Sequence, residues 1–228
     1  DVHRLMYKDL PAGMISLFQS AYNFMKQQID GVNLSGKIVM ESYINAWFFL
    51  YTHQGIFDSD GRYIIVDKYP ETLAMYKALM ERENYRLSIL YIADSTLDLP
   101  LCPSCIDVNI DFFATNEHNF YRRSFFYEEL TPLLKPGAWI IGTYFYFENG
   151  WRSMQKLLSQ YPKCSDNNFS LQYFLKMANE SGIVIDKKEI CGPSIDSGNN
   201  IGFSFHQKGE KLFLLPYTAH RALPGRMG

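Results

Sequence analysis

Apolar residues recur along this chain with two different periods. Leu10, Met14, Leu17, Phe18, Ala21, Met25 and Ile29 stand three and four apart, which is the spacing of one apolar helix face. This predicts a helix over residues 3–30, with Pro11 in its first turn and Asp30-Gly31 as its stop. Short apolar runs follow at 37–40, 62–66, 87–93, 106–113, 138–147 and 183–190, each bounded by turn residues. Runs of that length, rich in Ile, Val and aromatic side chains, read as buried strands. Helical spacing fills the intervals 44–53, 71–83, 119–134, 151–158 and 170–181. In the second of these, Leu73, Met75, Tyr76, Leu79 and Met80 are expected to face inward, and Lys135-Pro136-Gly137 is expected to stop the third. Gly202–His206 and Lys211–Leu215 read as a hairpin across residues 207–210. The tail after Tyr217 has no periodicity and is expected to fray.

Strands thus alternate with helices from residue 37 to residue 190. That pattern builds βαβ units, a mostly parallel sheet and helices on both faces, with right-handed crossovers. No internal repeat and no linker rich in Gly, Ser or Pro divides it. The expected organisation is a helical segment at 1–35, one α/β domain at 36–217 and a tail at 218–228.

Composition narrows the partners. Of 228 residues, 47% are hydrophobic and 20% charged, the balance of a globular chain. Net charge is −2, and no basic cluster exceeds Arg122-Arg123, so a direct nucleic-acid contact is not expected. No apolar run reaches the roughly 20 residues of a membrane helix, and a cytoplasmic location is expected. The 17 Phe and 16 Tyr suit an aromatic-rich core, a ligand cleft or a self-association surface, which leaves a homodimer open. Cys102-Pro103-Ser104-Cys105 has CxxC spacing, but no second ligand pair accompanies it. No metal site is expected, and the pair reads as two ordinary thiols. The start at Asp1 suggests a processed chain or a piece of a longer one.

In open parallel sheets, ligands bind outside the carboxyl ends of the strands. The candidate stretches are therefore Glu41–Trp47, Asp67-Lys68-Tyr69, Ala93-Asp94-Ser95 and Asp111–His118. Asp67, closing a strand, could accept hydrogen bonds from both hydroxyls of a ribose, or could cap the next turn. Asp94 could accept from an adenine amino group, with Ala93 alongside, or could likewise cap. His118 or Glu117 could act as a general base, or could be polar residues near a helix start.

The ordered set Ile38-Val39-Met40-Glu41, Ile64-Ile65-Val66-Asp67, Ile92-Ala93-Asp94, Ile106–Ile110 and Leu130–Ala138 resembles the class I S-adenosylmethionine-dependent methyltransferase family over roughly residues 10–217. The resemblance implies a three-layer, Rossmann-like α/β fold. Its seven-stranded, mostly parallel sheet would take its antiparallel strand from the C-terminal hairpin. It also implies cofactor contacts at Glu41, Tyr43, Asn45, Trp47, Asp67, Lys68, Ala93, Asp94 and Asp111, with His118 and Glu117 where the family places catalysis.

The family's pattern after the first acid is three alternate glycines. Here those positions hold Tyr43, Asn45 and Trp47. Glycine suits such a turn because φ can be positive and the backbone can approach a cofactor. Asn45 tolerates a left-handed conformation better than Tyr43 does, and the aromatic rings add bulk where the methionine part would lie. S-adenosylmethionine or S-adenosylhomocysteine remains the ligand implied, with its binding altered or lost. Three roles follow: a ligand-sensing or regulatory module of a larger protein, an active methyltransferase on a small molecule, or a dimerisation scaffold. The residues at 111–113 lack the motif of amino-methylating enzymes, so base methylation is not expected.

Overall fold

The computed structural model describes residues 12–30, 32–43, 49–53, 61–83, 88–94, 97–121, 124–148, 170–195 and 211–225. Helix α1 (Ala12–Ile29) precedes strand β1 (Ile38–Ser42), a short helix α2 (Phe49–Thr52), β2 (Arg62–Asp67), α3 (Pro70–Arg82) and β3 (Ser88–Ala93). Then come β4 (Ile106–Phe112), α4 (Ala114–Tyr121), α5 (Phe126–Leu130) and a 3-10 turn at Thr131–Leu133. The last elements are β5 (Leu134–Phe147), α6 (Leu171–Glu180), β6 (Ile183–Lys188), β7 (Cys191–Ile195) and β8 (Lys211–Arg221).

The sheet runs in the order β3-β2-β1-β4-β5-β8-β6, with β7 also on β8. Strands β1 to β5 pair in parallel, and β8 is antiparallel to β5, β6 and β7. Strand pleating sorts side chains between two apolar layers. One joins Met40, Ile64 and Val66 to Phe125, Phe126 and Leu130 of the α5 segment and Phe174 of α6. The other joins Val39, Ile65 and Ile110 to Phe24, Met25 and Ile29 of α1 and Leu73, Tyr76 and Met80 of α3. The expected three-layer α/β architecture, with a mostly parallel sheet and an N-terminal helix, is present.

Five expectations need correction, and two lie outside the described residues. The helix expected over 119–134 is two short helices beginning at Ala114. The chain restarts at Phe125, whose N–H is capped by Glu128 at 3.1 Å, while Asn119 accepts from the Phe126 N–H at 3.1 Å. Pro132 then limits α5 to one turn before the 3-10 turn. Lys135-Pro136-Gly137 is not a stop but a bulge inside β5: Ile106 pairs with Leu134 and Val108 with Trp139, so the intervening residues loop out. Lys135 from that bulge reaches Asp107 at 2.7 Å. Met75 does not face inward; it is 50% exposed, whereas Leu73, Tyr76 and Met80 are buried.

The run at 183–190 is not one strand. The ladder breaks between the pairs Lys188↔Tyr217 and Cys191↔Leu214. Pro216 of β8 lies at that break and has no N–H to donate, and its carbonyl instead accepts from the Glu189 N–H at 3.1 Å. The tail after Tyr217 is not frayed, because β8 runs to Arg221 and pairs as far as Trp139↔His220, with Thr218 and Ala219 buried. The hairpin partner at 202–206 and the helix at 151–158 lie outside the described residues.

Candidate functional site

The chain leaves β1 for β2 and β3 on one side, then returns to place β4 on the other side of β1. The switch point is therefore between β1 and β4, the place where open parallel sheets offer a ligand crevice beyond the carboxyl ends. Two backbone strains mark it. Tyr43, just past β1, has φ +48, and Phe113, just past β4, has φ +60. Left-handed non-glycine residues cost on the order of 1–3 kcal/mol and collect at functional sites. The Tyr43 N–H continues the ladder to the Val66 carbonyl at 2.7 Å, and the Phe113 N–H continues it to the Thr143 carbonyl at 3.0 Å. Each strand end thus turns toward its outer neighbour, and the two part from one another.

Tyr43 occupies the first of the three positions where glycine was the expected residue, with a glycine-like backbone but a full side chain. The ring is 3% exposed. It stacks on the His118 ring, centroids 6.4 Å apart and planes 29° apart, and tilts against Phe126 at 6.4 Å. Asn45 and Trp47, the other two positions, lie outside the described residues, as does Ser95.

The remaining candidates separate into two groups. Asp67, Lys68, Ala93, Asp94, Glu117 and His118 gather at the carboxyl edge. Asp67 closes β2 opposite Ala93, and its Oδ1 accepts from the Tyr69 N–H at 2.8 Å. The Asp94 N–H donates to the Asp67 carbonyl at 3.0 Å. Lys68 pairs with Glu117 of α4, and its ammonium also lies 4.8 Å from the centre of the Tyr69 ring. Since β1 lies between β2 and β4, this ion pair passes over the end of β1. His118 Nε2 is 3.4 Å from Glu129 Oε2 and 3.5 Å from Ser124 Oγ, and Ser124 donates to Glu129.

Glu41 and Asp111 point instead into the two layers. Glu41 is 1% exposed. Its Oε1 accepts from the Phe49 N–H at 2.9 Å, and its Oε2 accepts from Tyr63 at 3.2 Å and Tyr76 at 3.1 Å. Burial pushes the carboxyl up to about 7, although these hydrogen bonds favour the anion. Tyr76 in turn accepts from the Tyr51 N–H at 3.2 Å, so Glu41 and Tyr76 together satisfy orphan donors of α2. Asp111 accepts from the Thr115 N–H at 3.0 Å and the Thr115 hydroxyl at 2.5 Å. Tyr127 at 2.9 Å and Tyr217 at 2.6 Å complete its shell, and the two phenol oxygens also lie against each other. Burial raises the Asp111 carboxyl above the ordinary carboxylate range.

Of these phenols the sequence marks only Tyr76, and only as facing inward. The available signal is a Tyr inside an apolar strand or helix face, which must find a partner when buried. Nothing local pairs Tyr63 or Tyr76 with Glu41, or Tyr127 or Tyr217 with Asp111.

Solved structures share this fold. Geranyl diphosphate C-methyltransferase from Streptomyces coelicolor A3(2) matches with a TM-score of 0.65 and 12% identity, over 90% of this chain and 80% of that one. A geranyl diphosphate methyltransferase in complex with S-adenosylmethionine matches at 0.62 and 10%, over 90% and 85%. A S-adenosylmethionine-dependent methyltransferase from Methanosarcina mazei matches at 0.54 and 12%, over 86% and 97%. This chain has the class I methyltransferase fold. No family model matches it, and no curated protein does. Within this methyltransferase-fold domain, among the described residues, no helix is long and apolar enough to cross a membrane. Among the same residues no group of three or more His, Cys, Asp or Glu side chains could hold a metal ion.

Proposed function

We propose that this methyltransferase-fold domain binds an adenosine-type ligand at the ends of β2 and β3 but does not seat the methionine part of a methyl donor. It would act as a ligand-sensing module. The observation that carries the reading is Tyr43. Its ring is packed against His118 and Phe126 at the switch point, where a bare backbone would let the amino-acid part of the cofactor approach. Glu41 supports the reading, because both of its oxygens are bonded inside the core. Asp67 and Asp94 keep the edge positions suited to ribose and adenine.

Calorimetric titration with adenosine, S-adenosylhomocysteine and S-adenosylmethionine tests it. All three are expected to bind within about threefold of one another, because only the shared nucleoside is recognised. Asp67→Ala should weaken all three by roughly tenfold, the loss of a charge-assisted pair of hydrogen bonds. S-adenosylhomocysteine binding a hundredfold tighter than adenosine would sink the reading. Tyr43→Gly relieves the positive φ and removes the ring. It is expected to tighten S-adenosylhomocysteine by about tenfold while leaving adenosine within twofold, read by the same titration.

One observation favours a second reading, an active methyltransferase on a small molecule. His118, Glu129 and Ser124 form a connected acid–base cluster beside the same switch point. Release of S-adenosylhomocysteine from S-adenosylmethionine in a screen of small hydroxyl, amine and thiol acceptors, abolished by His118→Ala, would establish it over the first.

A further inference from the structure

The opposite edge of the sheet carries a cavity that is independent of the adenosine reading. The connection from β3 to β4 has no helix in its described part, 97–105. A parallel crossover normally lays a helix over the strands. Here a loop does so, with Leu97 and Leu99 buried as its anchors and Leu97 and Ser104 held at φ +57 and +52. The Ser104 and Cys105 N–H groups donate to the Pro132 and Leu133 carbonyls, both at 2.9 Å, which fixes the loop end to the 3-10 turn. Because a loop is thinner than a helix, space remains beneath it. A cavity of about 370 Å³ opens there, near the lower end of ordinary ligand sites.

The ladder registers give this cavity a direction. Ile38, Arg62 and Ser88 stand side by side on β1, β2 and β3, and Met40, Ile64 and Leu90 form the next row on the same face. Arg62, Ser88, Ile64 and Leu90 all line the cavity, and Leu101, Cys102 and Cys105 wall it on the loop side. The outer row thus presents a guanidinium and a hydroxyl, and the inner row presents alkyl surface. Leu90 is 49% exposed, a large apolar side chain left uncovered on the edge strand. Among the described residues Arg62 has no ion-pair partner, so its charge is uncompensated at the mouth.

We infer that this cavity binds a small amphipathic monocarboxylate, its head on Arg62 and Ser88 and its tail against Ile64, Leu90 and the loop. A guanidinium with an adjoining hydroxyl recognises a carboxylate, and an apolar wall rewards burial of its chain. The loop thiols give the site a reporter, because Cys102 is exposed at the cavity wall and an occupied cavity shields it.

Decanoate and decanol are the probes, followed by calorimetry and by the rate of Cys102 alkylation with iodoacetamide. Decanoate is expected to bind at one site about tenfold tighter than decanol and to slow alkylation severalfold. Arg62→Gln should bring decanoate down to the decanol level, and Leu90→Glu should abolish binding of both. Both substitutions are at exposed side chains, and circular dichroism verifies that the variants fold. Equal binding of the two probes, no binding, or binding indifferent to both substitutions overturns the proposal. So does a dimer in sedimentation that Leu90→Glu dissociates while decanoate fails to bind, since a second copy would then be what covers Leu90. Titration of the same variants with S-adenosylhomocysteine should be unchanged, which keeps the two sites' outcomes separate.

Discussion

Gly142→Ala is expected to destabilise the protein by roughly 3–5 kcal/mol, read as a drop in the urea midpoint at constant slope. Gly142 lies on β5 directly opposite Tyr217 of β8. A Cβ at this position would sit 2.6 Å from the Tyr217 hydroxyl, 2.7 Å from its Cζ and 2.8 Å from the Asp111 carbonyl oxygen. None of these can yield cheaply. The carbonyl is backbone in the central ladder, and the phenol is fully buried, bonded to Asp111 and set against Tyr127. Moving the ring aside removes one donor from a buried carboxylate, which adds a desolvation cost to the steric one. Adding Tyr217→Phe to the variant should recover only part of the loss, since Cζ and the Asp111 carbonyl remain. A midpoint within 0.5 kcal/mol of the parent would mean that β5 and β8 can separate locally, contrary to this packing.

Glu41 should make stability fall as pH rises through the neutral range. Its folded carboxyl lies at about 7, against an ordinary value of 4.5. Between those values the folded protein keeps a proton that the unfolded chain has lost. Stability is then fully present below about pH 4.5, declines as pH rises toward 7, and levels off above it. At about 1.36 kcal/mol per pH unit, the total is roughly 3 kcal/mol. Glu41→Gln cannot titrate. Near pH 5 the variant should be less stable than the parent by about 1–2 kcal/mol, having exchanged part of its acceptor capacity for donors. By pH 8 the difference should have moved in the variant's favour by roughly 2–3 kcal/mol. Urea unfolding of both proteins at the two pH values measures this directly, and parallel pH profiles would disprove it. Asp111, also raised by burial, contributes to both proteins and cancels in the comparison.

The layer architecture was legible because apolar period alone separates helix from strand. Residues 38–42, 62–67 and 88–93 fall within a residue or two of where alternation and turn residues put them. What escaped was set by contacts far apart in sequence. The apolar run at 183–190 gives no hint that Pro216, on another strand, interrupts its ladder. Lys135-Pro136-Gly137 has the composition of a helix stop, and only pairing of β5 with β4 turns it into a bulge. Residues 218–221 look like an irregular tail because their burial comes from β5 and β6, not from their own pattern. At the site, Asp67, Lys68, Asp94, Glu117 and His118 were placed at the carboxyl edge by strand ends alone. The inward turn of Glu41 and Asp111 depends on phenols 16 to 106 positions away, a distance no local pattern spans.

Strand β8 lies between β5 and β6 although it follows both in sequence. During synthesis β6 therefore emerges with no neighbour to pair with, and the outer edge of β5 stays open until residues 211–221 leave the ribosome. The same late strand carries Tyr217, so Asp111 also waits for it. A nascent chain can preassemble β1 to β5 with α3 between them, but it holds an unpaired strand edge and an under-solvated carboxylate until β8 emerges. Such an intermediate is a natural substrate for chaperones that recognise open sheet edges. Messages truncated before the codon for Lys211 should yield a product that is degraded rather than one that is merely less active.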